Sequence, residues 1–204
     1  MRRKRWNASL KGAVVLLALL GVQCKNPFAT REAEPPTGGR TPWIPPTSPT
    51  LVLANLRNAI SGKSVDNYLR CLSDGSSGRR PFVFIPDQGV ASLNPGFFDR
   101  WGIVSEENYL RQLFAVVPQD SLHKLELELV SENSFPDSAV VVENYVLTAH
   151  HTLRDPSYPR QAQGQAEFRL LLDQQSGYWY IWRWHDSGTG QAHSWSTFKA
   201  VFGK

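Results

Sequence analysis

From His123 to the C-terminus the chain offers four stretches with strand periodicity, and they follow the helical stretches instead of interleaving with them. In HKLELELVS, Leu125, Leu127 and Leu129 alternate with Glu126 and Glu128. A period of two puts the leucines on one face and the glutamates on the other, the pattern of a sheet with one wet side. SAVVVENYVLTAHHT is a longer, valine-rich strand, and GQAEFRLLLDQ and YWYIWRWHD complete the run, with Pro, Gly, Asp and Ser turns between them. Strands separated only by turns pair antiparallel.

Upstream the period changes to that of a helix. Ser48 sets a capping hydroxyl before Pro49 at the first helical position, and Leu53, Leu56 and Ile60 form the apolar stripe of a helix over residues 50 to 62, broken by Gly62. Ser64 caps a second, short helix with Val65, Tyr68, Leu69 and Leu72 on one side, ending at Asp74-Gly75. PFVFIP at 81 to 86 reads as a short strand bounded by prolines, followed by a loop containing Asn94-Pro95-Gly96. Ser105 is expected to cap a third helix, with Glu106 and Glu107 in its first turn, where the helix dipole favours carboxylates, and Tyr109, Leu110, Leu113 and Phe114 toward the core. Ser194 caps a last short helix carrying Trp195, Phe198 and Val201. The expected class is α+β: N-terminal helices packed on one side of a twisted, mostly antiparallel sheet.

The N-terminus has a different character. MRRKRWNASLK is strongly basic, GAVVLLALLGV is an apolar run of 11 residues, and Cys24 follows within two positions. The run is short for a bilayer span of about 20 residues but suits the apolar region of a secretion signal. LLGVQCK resembles the lipobox of bacterial lipoproteins, whose cysteine is lipidated and becomes the new N-terminus. The resemblance implies a signal peptide over 1–23 and membrane attachment through Cys24, the other reading being an uncleaved anchor helix. Lys25 stands where an Asp would favour the inner membrane in lipoproteins of enteric-type bacteria, so the outer membrane is the expected address.

Six prolines lie between Cys24 and Thr47, so residues 24–47 read as a semi-rigid tether. Trp43 and Ile44 within it are costly to leave in water and are expected to dock on the domain. Residues 48–204 form that domain, enough for one core. Of 22 lysines and arginines five lie in the leader, which leaves 17 basic against 18 acidic residues, or −1. This balance, with no basic stripe, argues against a nucleic-acid partner. With Cys24 lipidated, Cys71 in YLRCL has no intramolecular mate and reads as a small buried hydrophobe.

The opening PTLVLANLRNAISGKSVDNYLRCLSD and the final strand SGYWYIWRW, with Gly177, Trp179 and Ile181, resemble the nuclear transport factor 2-like superfamily over roughly residues 48 to 185. The resemblance implies a cone-shaped α+β fold shared with ketosteroid isomerases and scytalone dehydratase, in which homodimers through the open sheet are common. NPFATREAEPPTGGRTPWIPPTSP and the ending HSWSTFK are similar to uncharacterised bacterial lipoproteins, a likeness that brings no activity with it.

Enzymes of that superfamily place acids, tyrosines or histidines inside the cone, so the titratable residues Tyr145, His150, His151, Tyr180, His185 and Asp186 are the ones to weigh. His150 and His151 are neighbours, and in a regular strand only one can face inward, so no shared metal site is expected. The same alternation separates His185 from Asp186 and makes them a strand-end cap and surface pair. Regular alternation also splits YWYIWRW into Tyr178, Tyr180, Trp182 and Trp184 on one face and Trp179, Ile181, Arg183 and His185 on the other. Both faces are bulky, so the strand should be covered on two sides, by helices or by a partner subunit. The candidate pocket is Tyr145, His150, Tyr180, Trp182 and Asp186. There is no GxSxG, Walker loop, dinucleotide-binding glycine pattern, HExxH or CxxC. No catalytic residue, metal or cofactor is assigned. The expected function is a non-catalytic domain for a small apolar ligand or a protein partner, the alternative being a ketosteroid-isomerase-like acid/base enzyme.

Overall fold

The computed structural model describes residues 42–204 apart from 77, 119, 122 and 191. The leader, Cys24 and most of the tether therefore lie outside the described residues. Among those that are described, no helix is long and apolar enough to cross a membrane.

Helix α1 spans Pro49–Ser61, with Ser48 accepting from the Leu51 amide, and α2 spans Val65–Arg70, capped by Ser64 on Asn67. The short strand β1 is Val83–Ile85. Helix α3, Gln88–Leu93, occupies part of the expected loop; Asp87 caps it by accepting from Val90. Helix α4 runs Ile103–Ala115 with Gly102 at its cap position, so Ser105 lies inside its first turn instead of capping it. Four long strands follow, β2 (Lys124–Ser134), β3 (Ser138–Thr148), β4 (Gln161–Asp173) and β5 (Tyr178–Gly188), and helix α5 (Trp195–Phe202) closes the chain.

The sheet order is β1-β5-β4-β3-β2, antiparallel throughout except for β1, which pairs parallel with β5. The helices collect on one face. There, Val141, Tyr145 and Leu147 from β3, Ala162, Ala166, Phe168 and Leu170 from β4, and Ile181 and Trp184 from β5 are buried with Leu56 and Ile60 of α1 and Trp195 and Phe198 of α5. The other face of β4 carries Gln163 and Gln165 into solvent.

One irregularity decides which side chains of β5 enter the core. Arg169 of β4 lies opposite Arg183 while its neighbour Leu170 lies opposite Ile181, which leaves Trp182 as an extra, bulged residue. Before the bulge Trp179 and Ile181 point to the covered face; after it Trp184 and Asp186 do. The alternation expected for YWYIWRW is therefore corrected at its middle: Trp184 is fully buried, and Arg183 joins Tyr180 on the opposite face.

The lateral edge of β5 is sealed by backbone. Trp179 donates to the Pro46 carbonyl (2.8 Å), Ile181 donates to Cys71 (2.8 Å) and accepts from Ser73 (2.8 Å), and β1 takes positions 183 to 185. The segment before α1 is thus docked as a strap, held further where Asn55 bonds both the amide (3.0 Å) and carbonyl (2.6 Å) of Ile44. Trp43 packs against the core, whereas the Ile44 side chain stays partly exposed.

His123, just before β2, is buried against Phe114 with ring centroids 5.2 Å apart, and the Thr148 backbone beside it only partly offsets that burial. Burial, with Lys63 and the other histidines nearby, pulls its pKa from 6.5 down to about 4. The folded state thus stays unprotonated where the unfolded chain takes up a proton, so stability is lost as pH falls from about 6.5 toward 4. In His123→Phe, urea unfolding from pH 7 to 4 should lose that part of the slope, up to about 3 kcal/mol across the window.

Candidate functional site

The polar groups on the covered face form two clusters, and both end on α5. In the first, the Tyr145 hydroxyl of β3 donates to Asp186 Oδ1 of β5 at 2.6 Å. The same hydroxyl accepts from the Trp195 amide at 2.7 Å, while Asp186 Oδ2 accepts from the Ser196 amide at 2.7 Å and from the Ser196 hydroxyl. The Tyr145 hydroxyl and Asp186 thus accept the otherwise unpaired Trp195 and Ser196 amides at the start of α5, where the helix dipole favours the negative charge of Asp186. Burial pushes its carboxyl pKa up, against the hydrogen bonds from Ser196 and Tyr145, and burial with the adjacent Asp186 charge pushes the Tyr145 phenol up as well. Gly164 makes room for this pair, because a Cβ there would lie 2.7 Å from the Tyr145 hydroxyl.

The second cluster joins Glu106 of α4 to Lys199 of α5 in a fully buried ion pair. Glu106 also accepts from the Trp101 indole at 2.7 Å and from the Tyr68 hydroxyl at 3.0 Å, so every oxygen is used. The ammonium lies 4.2 Å from the Phe84 ring centre and 4.6 Å from that of Trp184, a desolvated cation among aromatic faces. Burial pulls the Lys199 pKa down, opposed by Glu106. Around both clusters the space is filled by rings: Trp184 and Trp195 meet edge-on at 4.5 Å, and Trp184 packs on Phe168 at 4.9 Å.

Of the five candidate pocket residues, the structure brings together Tyr145 and Asp186. Tyr180 and Trp182 belong to the opposite face, and His150 is exposed in the loop after β3. His151 is buried with its Nε2 3.1 Å from the Pro159 carbonyl, since β3 ends at Thr148 and strand alternation no longer governs the pair. Asp186 is fully buried and is no surface partner of the exposed His185. Among the described residues no cluster of His, Cys, Asp or Glu has the makeup of a metal site.

Glu106 and Lys199 escaped the sequence reading. Glu106 reads as an ordinary first-turn acid, and Lys199 in the HSWSTFK ending drew no reading of its own. The available signal was spacing: Lys199 stands four residues after Trp195 and three before Phe202, on the apolar stripe of α5.

No family model matches the chain, and no curated protein matches it in sequence. Solved structures do match its fold. A conserved protein from Planctomyces limnophilus shares 14% identity at a TM-score of 0.51, covering 69% of this chain and 92% of its own. A nuclear transport factor 2-like superfamily protein from Salmonella enterica serovar Typhimurium LT2 shares 16% at 0.48 (69% and 87%). A protein of unknown function from Shewanella oneidensis MR-1, described as NTF-2 like, shares 16% at 0.48 (68% and 94%). At a TM-score of 0.51 the first of these shares the α+β fold, with helices gathered on one face of the sheet; identities this low speak to fold alone.

Removing one member of the buried ion pair strands the other. Glu106→Leu or Lys199→Met alone should cost about 3–5 kcal/mol in urea unfolding, and the double substitution markedly less than the two added.

Proposed function

We propose that the chain is an exported envelope protein, lipid-anchored through Cys24, whose domain binds a partner and does not turn over a substrate. The observation that carries the second half is the role of α5. Its Trp195, Phe198 and Lys199 fill the covered side of the sheet, and its amides use up the Tyr145 hydroxyl and the Asp186 carboxylate, the two groups an acid/base site would need free. Three grooves among the described residues open at the surface. The anchor half is supported by the basic start, the 11-residue apolar run ending two residues before Cys24, and the six-proline tether; Lys25 favours the outer membrane. A ketosteroid-isomerase-like activity would require α5 to leave the site.

The anchor and the site are tested separately. In the native host the chain should incorporate a palmitate analogue and float with envelope membranes, and Cys24→Ala should do neither; an unlabelled wild type rejects the anchor. For the site, Tyr145→Phe removes the acceptor of the Trp195 amide and should cost about 1–3 kcal/mol. An apolar fluorescent dye should stay dark with the wild-type protein, while dye binding displaced by a steroid would favour the enzyme.

A further inference from the structure

Arginine and aromatic side chains pair three times along the edge of the domain where the strap meets β5. The Arg70 guanidinium lies 3.8 Å from the Trp43 ring centre, Arg79 lies 5.4 Å from Tyr180, and Arg80 lies 5.0 Å from Trp182. Tyr178, at the start of β5, is 42% exposed beside them. A surface groove of about 370 Å³ runs through this edge, lined by Trp43, Arg70, Arg79 and Tyr178 and also by the carboxylates Asp74 and Asp173.

The charge here is only partly compensated. Arg79 pairs with Asp74 at 2.7 Å, and Arg169 pairs with Glu167 at 2.8 Å. Arg70 and Arg80 have no carboxylate partner among the described residues, and Arg183, directly across from Arg169, keeps a buried Nε without an acceptor. Arg169 is neutralised by Glu167, so Arg70, Arg80 and Arg183 are the cations this face leaves for an outside anion.

A guanidinium over a ring, as at Arg70 and Arg80, can keep outer N–H groups for phosphate oxygens, and an exposed Tyr such as Tyr178 favours the water–lipid boundary. Position agrees with this chemistry. The first ring of the series, Trp43, belongs to the strap through which the chain runs back toward Cys24, and the 18 intervening residues reach at most about 60 Å. We propose that this arginine–aromatic edge docks on an anionic lipid surface, holding the domain against the membrane to which Cys24 ties it. The inference rests on the lipid anchor proposed above.

The test is hydrogen exchange on the full lipidated chain bound to phosphatidylcholine vesicles with or without phosphatidylglycerol. The anionic vesicles should slow exchange severalfold in residues 74–81 and 173–178, and high salt or the Arg80→Glu/Arg183→Glu double variant should abolish the difference, since each arginine adds about fivefold to binding near an anionic surface. A chain that floats with both vesicles but exchanges identically overturns the docking and leaves the anchor standing. A chain that floats with neither overturns both. Protection that appears in detergent micelles and grows with protein concentration means a second copy covers the edge, and likewise overturns the lipid assignment.

Discussion

Glu106 and Lys199 are removed from water together, and most of the domain is arranged around that fact. An isolated buried charge costs several kcal/mol, so each must keep the other and every remaining hydrogen-bonding site must be filled. The carboxylate draws Tyr68 from α2, Trp101 from the turn before α4 and Lys199 from α5 to one point; the ammonium is walled by Phe84 of β1 and Trp184 of β5. Three helices and two strands thus share one constraint. Such a pair adds less to net stability than apolar residues of equal volume would, and its effect is on arrangement: α5 cannot slide or leave without stranding a charge.

The two bulges distribute the side chains that this arrangement needs. In β5 the extra residue Trp182 brings Trp184 and Asp186 to the covered face, so that one strand supplies both the wall of the ion pair and the acceptor for the start of α5. It also leaves Arg183 and His185 outside. In β2, a register shift between Leu129 and Ser131 interrupts the outer edge of the sheet, and Glu126 and Glu128 stand along it. A bulge and like charges on a long free strand discourage edge-to-edge pairing. The opposite edge has no such need, because strap, residues 71 to 73 and β1 already occupy the backbone of β5.

Covering of β5 on its second side comes from within the chain. The bulk of YWYIWRW on both faces suggested helices or a partner subunit; at Tyr180 and Trp182 the cover is the guanidinium groups of Arg79 and Arg80. Arginine can do this because its planar cation stacks on a ring while its charge stays hydrated. A strand two-sided in bulk is thus accommodated without a second helical layer, and what is left facing outward is cationic.

Most of the elements were legible in the sequence, though α3 lay hidden in an expected loop and α4 begins before its expected cap. Leu125 and Leu127 against Glu126 and Glu128, the stripe Leu53, Leu56 and Ile60, and the caps Ser48 and Ser64 all act through neighbours within a turn or a pleat, and such local forces are written in spacing, whereas Leu129, expected on the same face, is exposed. Of the site, Tyr145 and Asp186 could be named but not joined: they are 41 positions apart, and counting along β5 puts Asp186 beside Tyr180 until the bulge at Trp182 reverses it. Glu106 and Lys199, 93 positions apart, gave no sign of each other. Whether a charge is solvated or buried depends on what the rest of the chain packs around it, and a bulge on which register satisfies the core, so those outcomes were decided only when the sheet and its helices came together.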